Sequence, residues 1–305
     1  MKIITAFFQL VRWPNLLFIA LTQLLFYYCI YLPLYEAHDV KKIVLLIIAS
    51  VFIAAAGYII NDYFDLNIDQ VNKPDKNVID KVIHRRSAIV WHFILSFSGI
   101  IITAFAVGFS MWYLIAANMF CVMLLWFYST SFKRQLLIGN FVISILTAWT
   151  VLILFFAFAP PESAFKTPEP ISVKFFRLAF LYGGFAFIIS LIREAIKDME
   201  DLEGDAKYAC RTLPIVVGIR STKLYVIVWV IVLIATLVIL QLYILQFGWW
   251  HATVYGITCV ILPLIYLLLK IRQAKNISDF ALASKWSKII MLSGILSMVF
   301  FPFYF

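Results

Sequence analysis

The chain predicts an all-α, polytopic membrane fold with nine transmembrane helices. Three observations lead there. Of 305 residues, 64% are hydrophobic and only 13% charged, with a mean hydropathy of +0.97; a soluble domain is about half apolar and about a quarter charged. Apolar stretches of about 20 residues, the length that crosses a bilayer as a helix, recur from end to end. The basic residues gather in alternate loops, as the positive-inside rule requires of a multi-span protein.

Taken in order, the apolar stretches place helices at roughly 14–32, 43–61, 88–108, 112–128, 139–158, 175–196, 223–245, 251–270 and 288–304. The start of the chain does not read as a cleaved signal: Arg12 interrupts the early apolar run and no small-residue cleavage site follows. With a cytoplasmic N-terminus, all but five of the 25 Lys and Arg residues fall on the inner side; Lys41, Lys42, Lys166, Lys174 and Arg177 stay outside. That asymmetry predicts a multi-pass protein of the inner or plasma membrane, with its N-terminus and any inner-loop site cytoplasmic. It also removes nucleic acid as the reason for the net charge of +9. Cys29, Cys121, Cys210 and Cys259 show no pairing pattern and read as small packing residues. The four histidines have no metal-ligand spacing, and there is no Gly-rich nucleotide loop or Ser-His-Asp arrangement. The outer loop "APPESAFKTPEPISVK" is Pro-rich and carries no concentrated chemistry. The whole of 1–305 reads as one domain.

The chemistry concentrates in two inner loops, one after the second helix and one after the sixth. The first carries Asn61, Asp62, Asp65 and Asp69; the second carries Asp198, Asp201 and Asp205 within "REAIKDMEDLEGD". Both aspartate triplets are spaced three then four. On a continuous helix, seven residues return to within about 20° of the start, so each triplet is expected to line one face of a helical end. Glu194 falls on the second stripe. Six carboxylates at one bilayer surface repel one another unless cations neutralise them. Hard oxygen donors suit Mg²⁺, which binds through one or two carboxylates plus substrate phosphates. Two facing stripes therefore suggest Mg²⁺ bridging a lipid diphosphate whose tail enters the apolar bundle. Solvated loop charges would explain one triplet, but not two with the same spacing on the same side, each directly after a span. An ion or lipid transporter without catalysis is the competing class, because intramembrane acids often mark ion paths; here the acids sit at helix ends and the mid-helix positions are almost all apolar.

These residues resemble the UbiA family of intramembrane prenyltransferases. "NDYFDLNID" looks like the family's first acidic motif and "DMEDLEGD" like its second. "RWPN", "NKP", "YSTSFKRQLLIGN" and "RTLPIVVG" resemble its smaller signatures, and the likeness covers nearly the whole chain. The resemblance implies helices around a central cavity open laterally to lipid. It implies an enzyme that uses Mg²⁺ to ionise a prenyl diphosphate, geranylgeranyl or longer, to an allylic carbocation captured by a lipophilic acceptor. "REAIKDMEDLEGD" looks most like the branch that prenylates a glycerol phosphate lipid; an aromatic acid or quinone precursor of the 4-hydroxybenzoate type is the alternative acceptor. Metal ligands are then expected at Asp62, Asp65, Asp69, Asp198, Asp201 and Asp205, with Asp62, Asp65, Asp198, Asp201, Lys133 and Arg193 carrying the catalysis. Lys133 and Arg193 are candidate cations for the diphosphate or acceptor. Substrate contacts are expected from Asn61, Arg12, Asn15, Lys73, Tyr128 and Lys197. One departure stands out: after "NKP" many relatives continue with Arg-Pro, whereas here the text is "DKNVIDKVIHRRSAI" and the basic residues appear later, at Lys81, Arg85 and Arg86.

Overall fold

The computed structural model describes residues 2–72, 78–159 and 170–304. Lys73, expected to contact substrate, and most of the Pro-rich outer loop lie outside the described residues. A short helix, α1 (Lys2–Leu10), comes first. The spans are α2 (Trp13–Tyr35), α3 (Val40–Phe64), α5 (Arg85–Val107), α6 (Phe109–Thr130), α7 (Ile138–Phe158), α8 (Ile171–Glu200), α10 (Leu213–Leu245), α11 (Trp250–Gln273) and α12 (Ile277–Phe303). Two short helices, α4 (Leu66–Asn72) and α9 (Leu202–Lys207), follow the acidic motifs. Among the described residues, nine helices are thus long and apolar enough to cross a membrane. Helical spans of this kind satisfy their backbone groups internally, which a bilayer demands.

All nine expected helices are present, and the differences have local causes. The last span begins at Ile277, well before the expected start, because a capping box between Asn276 and Asp279 starts the helix in a charged segment. α10 begins at Leu213 and is kinked where Gly218 adopts φ 83°, a conformation open to glycine, so apolarity alone located only its straight part. α2 and α11 each contain a wide π-turn, Phe26–Tyr31 and Gly256–Ile261, next to Pro33 and Pro263. A proline donates no N–H and crowds the carbonyl four residues back, and the wider turn accommodates it without ending the span.

One expectation is corrected. Neither aspartate triplet lies on one continuous helix. α3 ends at Phe64, Asp65 sits at the break with φ −87° and ψ 0°, and α4 restarts at Leu66. α8 ends at Glu200, Asp201 sits at its break with φ −94° and ψ 11°, and α9 restarts at Leu202. The middle aspartate is the break in both motifs.

α3 packs most extensively on α5, and α7 on α8, with α10 and α12 also against α8. At the end of the bundle away from the motifs, Phe26, Tyr27, Tyr31, Phe155, Phe158 and Phe175 form an aromatic plug. Polar ties hold the interior in register. Gln23 on α2 donates to Ser50 Oγ on α3 and to the Thr150 carbonyl on α7, both at 2.9 Å. Asn118 on α6 donates to Thr103 Oγ1 on α5 at 2.8 Å and accepts from the Trp149 indole on α7 at 3.0 Å. In lipid the apolar faces do not drive association by themselves, so packing and such bonds fix which helices pair. Asn118→Ala is expected to destabilise the bundle by about 1–3 kcal/mol, since it removes two interior hydrogen bonds and leaves the Trp149 indole N–H without its acceptor; thermal unfolding in detergent is the check.

Candidate active site

The two motifs are built alike. Asp62 lies in the last turn of α3 and Asp198 in the last turn of α8; Asp69 and Asp205 lie on the short helices beyond the breaks. Main-chain bonds of helical type bracket each break: Asp65 N to Asn61 O at 3.0 Å and Asp69 N to Asp65 O at 2.8 Å, then Asp201 N to Lys197 O at 2.9 Å and Asp205 N to Asp201 O at 3.1 Å. The chain therefore bends at each middle aspartate while the flanking ones stay near one side. Asn72, at the end of α4, stitches the motifs together. Its amide donates to the Asp201 carbonyl at 3.1 Å, and its oxygen accepts from the Gly204 N–H at 2.8 Å. A Cβ on Gly204 would collide with the Asn72 amide group, so the close approach needs glycine there.

Cations of the chain itself face the acids. Arg12 occupies a left-handed corner (φ 51°, ψ 53°) between α1 and α2, just before Pro14 starts the span. That corner brings its guanidinium to 2.6 Å from Asp62 and to 5.2 Å from the Tyr58 ring centroid. Lys133, on the turn between α6 and α7, forms an ion pair with the buried Asp65. Asn140 donates to Asp198 at 2.8 Å. Glu194, buried, receives Arg193 at 2.5 Å, with Lys197 at 3.9 Å. The Asp62 carboxylate raises Arg12 above its ordinary range against the opposing effect of burial. Burial alone would lower Lys133, and Asp65, Tyr128 and Asp69 together more than reverse it. Asp69 is pushed up to about 6 by burial first and then by Asp65, despite Lys133. Burial likewise pushes Asp205 up to about 6, relieved by Lys133 and reinforced by Asp201 and Asp65. Asp65 and Lys133 thus act on both motifs, which share one electrostatic field.

This mouth leads into a cavity of about 240 Å³ running up the bundle axis. Arg12, Asn15, Tyr58, Asn61, Tyr128, Arg193, Glu194 and Lys197 line its motif end, and aliphatic and aromatic side chains line most of the rest. Within it, among the described residues, the buried Asn61 side-chain oxygen and the Arg193 Nε have no protein partner. Of the residues expected at a site, the structure brings Arg12, Asn15, Asn61, Tyr128, Arg193 and Lys197 to the cavity, and Asp62, Asp65, Asp69, Lys133, Asp198, Asp201 and Asp205 to its charged mouth. Among the described residues, no three His, Cys, Asp or Glu side chains close into a cage for one ion. Oxygen donors in separate pairs, with orphaned polar atoms opening on a cavity, fit a hard cation that takes most of its ligands from water and a phosphate-bearing substrate. Of the later basic residues, Arg85 is held 2.7 Å from Asp80 in an exposed pair. Sequence reasoning missed Asn72 and Asn140 as motif partners. Both lie inside segments that looked family-like, yet nothing in their spacing says which carbonyl or carboxylate they reach.

The sequence pattern of the UbiA prenyltransferase family matches residues 23–289. The chain belongs to this family. It is 32% identical over 250 residues to the digeranylgeranylglyceryl phosphate synthase of Methanosphaera stadtmanae, covering 81% of this chain and 83% of that one. It is 30% identical over 262 residues to the enzyme of the same name from Methanocaldococcus jannaschii, covering 86% and 84%. Among solved structures, one of digeranylgeranylglyceryl phosphate synthase in membranes superposes with a TM-score of 0.63 at 24% identity, covering 98% of this chain and 99% of that one. A UbiA homologue from Archaeoglobus fulgidus bound to DMAPP and Mg²⁺ gives 0.59 at 14%, covering 96% and 98%. These likenesses bear out the all-α UbiA fold. The chain is a multi-pass membrane protein and a prenyltransferase by family.

Gly204→Ala and Asn72→Ala are expected to act alike, because each breaks the same stitch. Each removes about two hydrogen bonds and destabilises by about 1–3 kcal/mol. The double variant should cost little more than either single one, which thermal unfolding of the three proteins would measure.

Proposed function

We propose that this protein transfers a geranylgeranyl-type group from its diphosphate to the hydroxyl of a glycerol phosphate lipid acceptor, with Mg²⁺. The observation that carries the reading is the meeting of two like acidic motifs, through Asn72, at the charged mouth of one apolar cavity. The relatives named as digeranylgeranylglyceryl phosphate synthases, at about 30% identity over most of the chain, favour the glycerol phosphate acceptor.

On this reading Asp62, Asp65 and Asp69 on one side, and Asp198, Asp201 and Asp205 on the other, hold Mg²⁺. When bound, the metal supplies positive charge to the diphosphate oxygens as the C1–O bond breaks. Arg12 and Lys133 keep Asp62 and Asp65 neutralised before substrate arrives, then turn to the diphosphate. Asn61 offers its unpartnered oxygen to the metal's water shell. Arg193 and Lys197, already gathered on Glu194, together with Asn15, address the acceptor phosphate. Lys73, next to the first motif, serves as a further basic contact. Tyr128, buried at the cavity wall, shields the cationic C1 with its ring. Once the C1–O bond to pyrophosphate has broken, the acceptor hydroxyl oxygen attacks the cationic C1, and its proton passes to the departing pyrophosphate. The apolar cavity excludes water, which would otherwise capture the cation. All of 1–305 acts as a single domain. The basic asymmetry of the loops supports a cytoplasmic membrane, with N-terminus and mouth facing the cytoplasm.

Purified protein given geranylgeranyl diphosphate and Mg²⁺ is expected to release pyrophosphate with geranylgeranylglyceryl phosphate and not with 4-hydroxybenzoate or a naphthoate acceptor. Release with an aromatic acceptor alone would replace the glycerol phosphate reading. Binding without release from any acceptor would favour transport. Asp62→Ala and Asp198→Ala should each cost at least about a hundredfold in turnover with unchanged thermal unfolding.

A pH dependence follows from Asp69 and Asp205. Their raised values mean that both hold protons until about pH 6 in the metal-free protein. Binding Mg²⁺ must displace those protons. The stabilisation of the protein by Mg²⁺ and a prenyl diphosphate should therefore be full well above pH 6 and shrink as pH falls through about 6. Thermal unfolding with and without Mg²⁺ across that range tests it.

A further inference from the structure

α12 lends the central cavity one face. Lys288, Met291, Ile295 and Met298 all line it, and steps of three, four and three residues put them on a single helical stripe. The other three are apolar, so Lys288 is a lone cation at one end of a greasy wall. α12 packs against α8 and α2, the helices that bring the other cations to this cavity. The charges of Arg193, Lys197 and Arg12 all act on Lys288, and Glu194 is the carboxylate among them. Among the described residues the Lys288 ammonium forms no hydrogen bond or ion pair.

A lysine kept only to orient the chain would turn to the water beside the bilayer. Lys285, one turn earlier, is exposed and off the cavity wall. Lys288 instead faces inward, towards like charges. Arg193 supplies a second open donor: its Nη1 lies 2.5 Å from Glu194, while its buried Nε has no partner. Cations gathered at the edge of an apolar cavity are costly unless an anion answers them. The place is not that of the metal-binding aspartates, since Arg193 stands five residues before Asp198, about 7.5 Å along the axis of α8. In a glycerol phosphate the phosphorus is four bonds from the neighbouring hydroxyl oxygen, at most about 6 Å. An acceptor whose phosphate rests on this cluster can therefore present that oxygen to C1 of a donor held at the motifs.

We propose that Lys288 and Arg193 form a subsite for a phosphate monoester, and that Lys288 is the residue by which this cavity takes a monoester head group in preference to a carboxylate or a phosphodiester. The proposal rests on the reaction given above and deepens it by naming what selects the acceptor. A phosphate monoester carries about −1.5 to −2 charges near neutral pH and three terminal oxygens. It can accept from the Arg193 Nε and the Lys288 ammonium at once and still have an oxygen for Asn15 or Lys197. A carboxylate or a phosphodiester brings one charge and two free oxygens, so it gains less from a second cation. Lysine suits the role because its ammonium is a compact point charge that needs no fixed fork geometry.

The test compares two probes, decyl phosphate and its methyl ester, which share a tail and differ by one charge. Their dissociation constants are measured by calorimetry on the full-length protein at pH 8. Mg²⁺ and a thiolodiphosphate analogue of geranylgeranyl diphosphate are present at saturation, so that neither probe can occupy the motifs. The wild type should bind the monoester about tenfold more tightly than the diester. Lys288→Gln should abolish that preference, Lys288→Arg should keep most of it, and the affinity for the donor analogue should stay within about twofold in both, which also controls for folding. Lys288→Met is the second variant where the Gln protein does not fold. In turnover with geranylgeranylglyceryl phosphate, Lys288→Gln should raise KM about tenfold with little change in kcat. Equal binding of the two probes by the wild type would overturn the subsite, and so would equal weakening of both in Lys288→Gln. Weakened binding of the donor analogue would assign Lys288 to the diphosphate instead. A monoester preference that depends on Lys288, without pyrophosphate release from the glycerol phosphate acceptor, would overturn the proposed reaction and leave the subsite standing. Release with a KM untouched in Lys288→Gln would do the reverse.

Discussion

The constraint on which the site depends is the placement of carboxylates at the wrong ends of helices. α3 and α8 both finish at the acidic mouth, where the helix dipole is negative. Adding aspartates there stacks like charge on like charge at the edge of a low-dielectric medium. Such an arrangement persists only if cations answer it. The protein's own answer is Arg12 on Asp62, Lys133 on Asp65, and Arg193 with Lys197 on Glu194. Among the described residues, Asp69 and Asp205 form no ion pair of this kind and keep their protons up to about pH 6 instead. A metal-bound diphosphate fits this mouth because it brings both signs at once: a cation for the carboxylates and an anion for the displaced Arg and Lys.

Much of this was legible in the residues. Nine apolar runs gave nine spans, because in lipid no other secondary structure of that length is open to such sequences. The two Asp triplets were legible because six acids beside membrane helices have no cheap structural purpose. Arg12 and Lys133 were found in segments that resemble family signatures, and Arg193 by its place five residues before Asp198. Less legible was anything that depends on where the chain turns. Spacing implied unbroken helical faces, yet both helices break at their middle aspartate, Asp65 and Asp201. An aspartate competes with the helical backbone for hydrogen bonds, and the negative helix end adds to that preference, but the same residues sit within helices elsewhere. The onset of α12 was hidden because Asp279, Lys285 and Lys288 make its first turns look like a loop. Asn72 and Asn140 were hidden because an asparagine announces nothing about its partner until the fold supplies one.

The repeated break has its own logic. A straight helix of seven more residues would carry Asp69 or Asp205 about 10 Å beyond Asp62 or Asp198 along its axis, at 1.5 Å per residue. A bend at the middle aspartate lets α4 and α9 fold over the mouth, where Asn72 ties one to the other. The outer aspartates then approach the shared field of Asp65 and Lys133 instead of trailing into solvent. Gly204 permits the approach, since any side chain there would push Asn72 away.

The two ends of the molecule pose opposite problems and are solved by opposite means. At the mouth, charge must be concentrated but balanced, so cations are supplied in cis and the acids are held on short, tied helices. Behind the mouth, space must be kept open in the middle of a bundle that packing would otherwise close. Gln23 and Asn118 contribute at the central cavity by fixing α2, α3, α5, α6 and α7 through hydrogen bonds instead of through bulk. The aromatic plug of Phe26, Tyr31, Phe155, Phe158 and Phe175 seals the end of α2 and α7 but not the space between α8, α10, α11 and α12. The apolar interior that remains opens on the same charged mouth that the two motifs build.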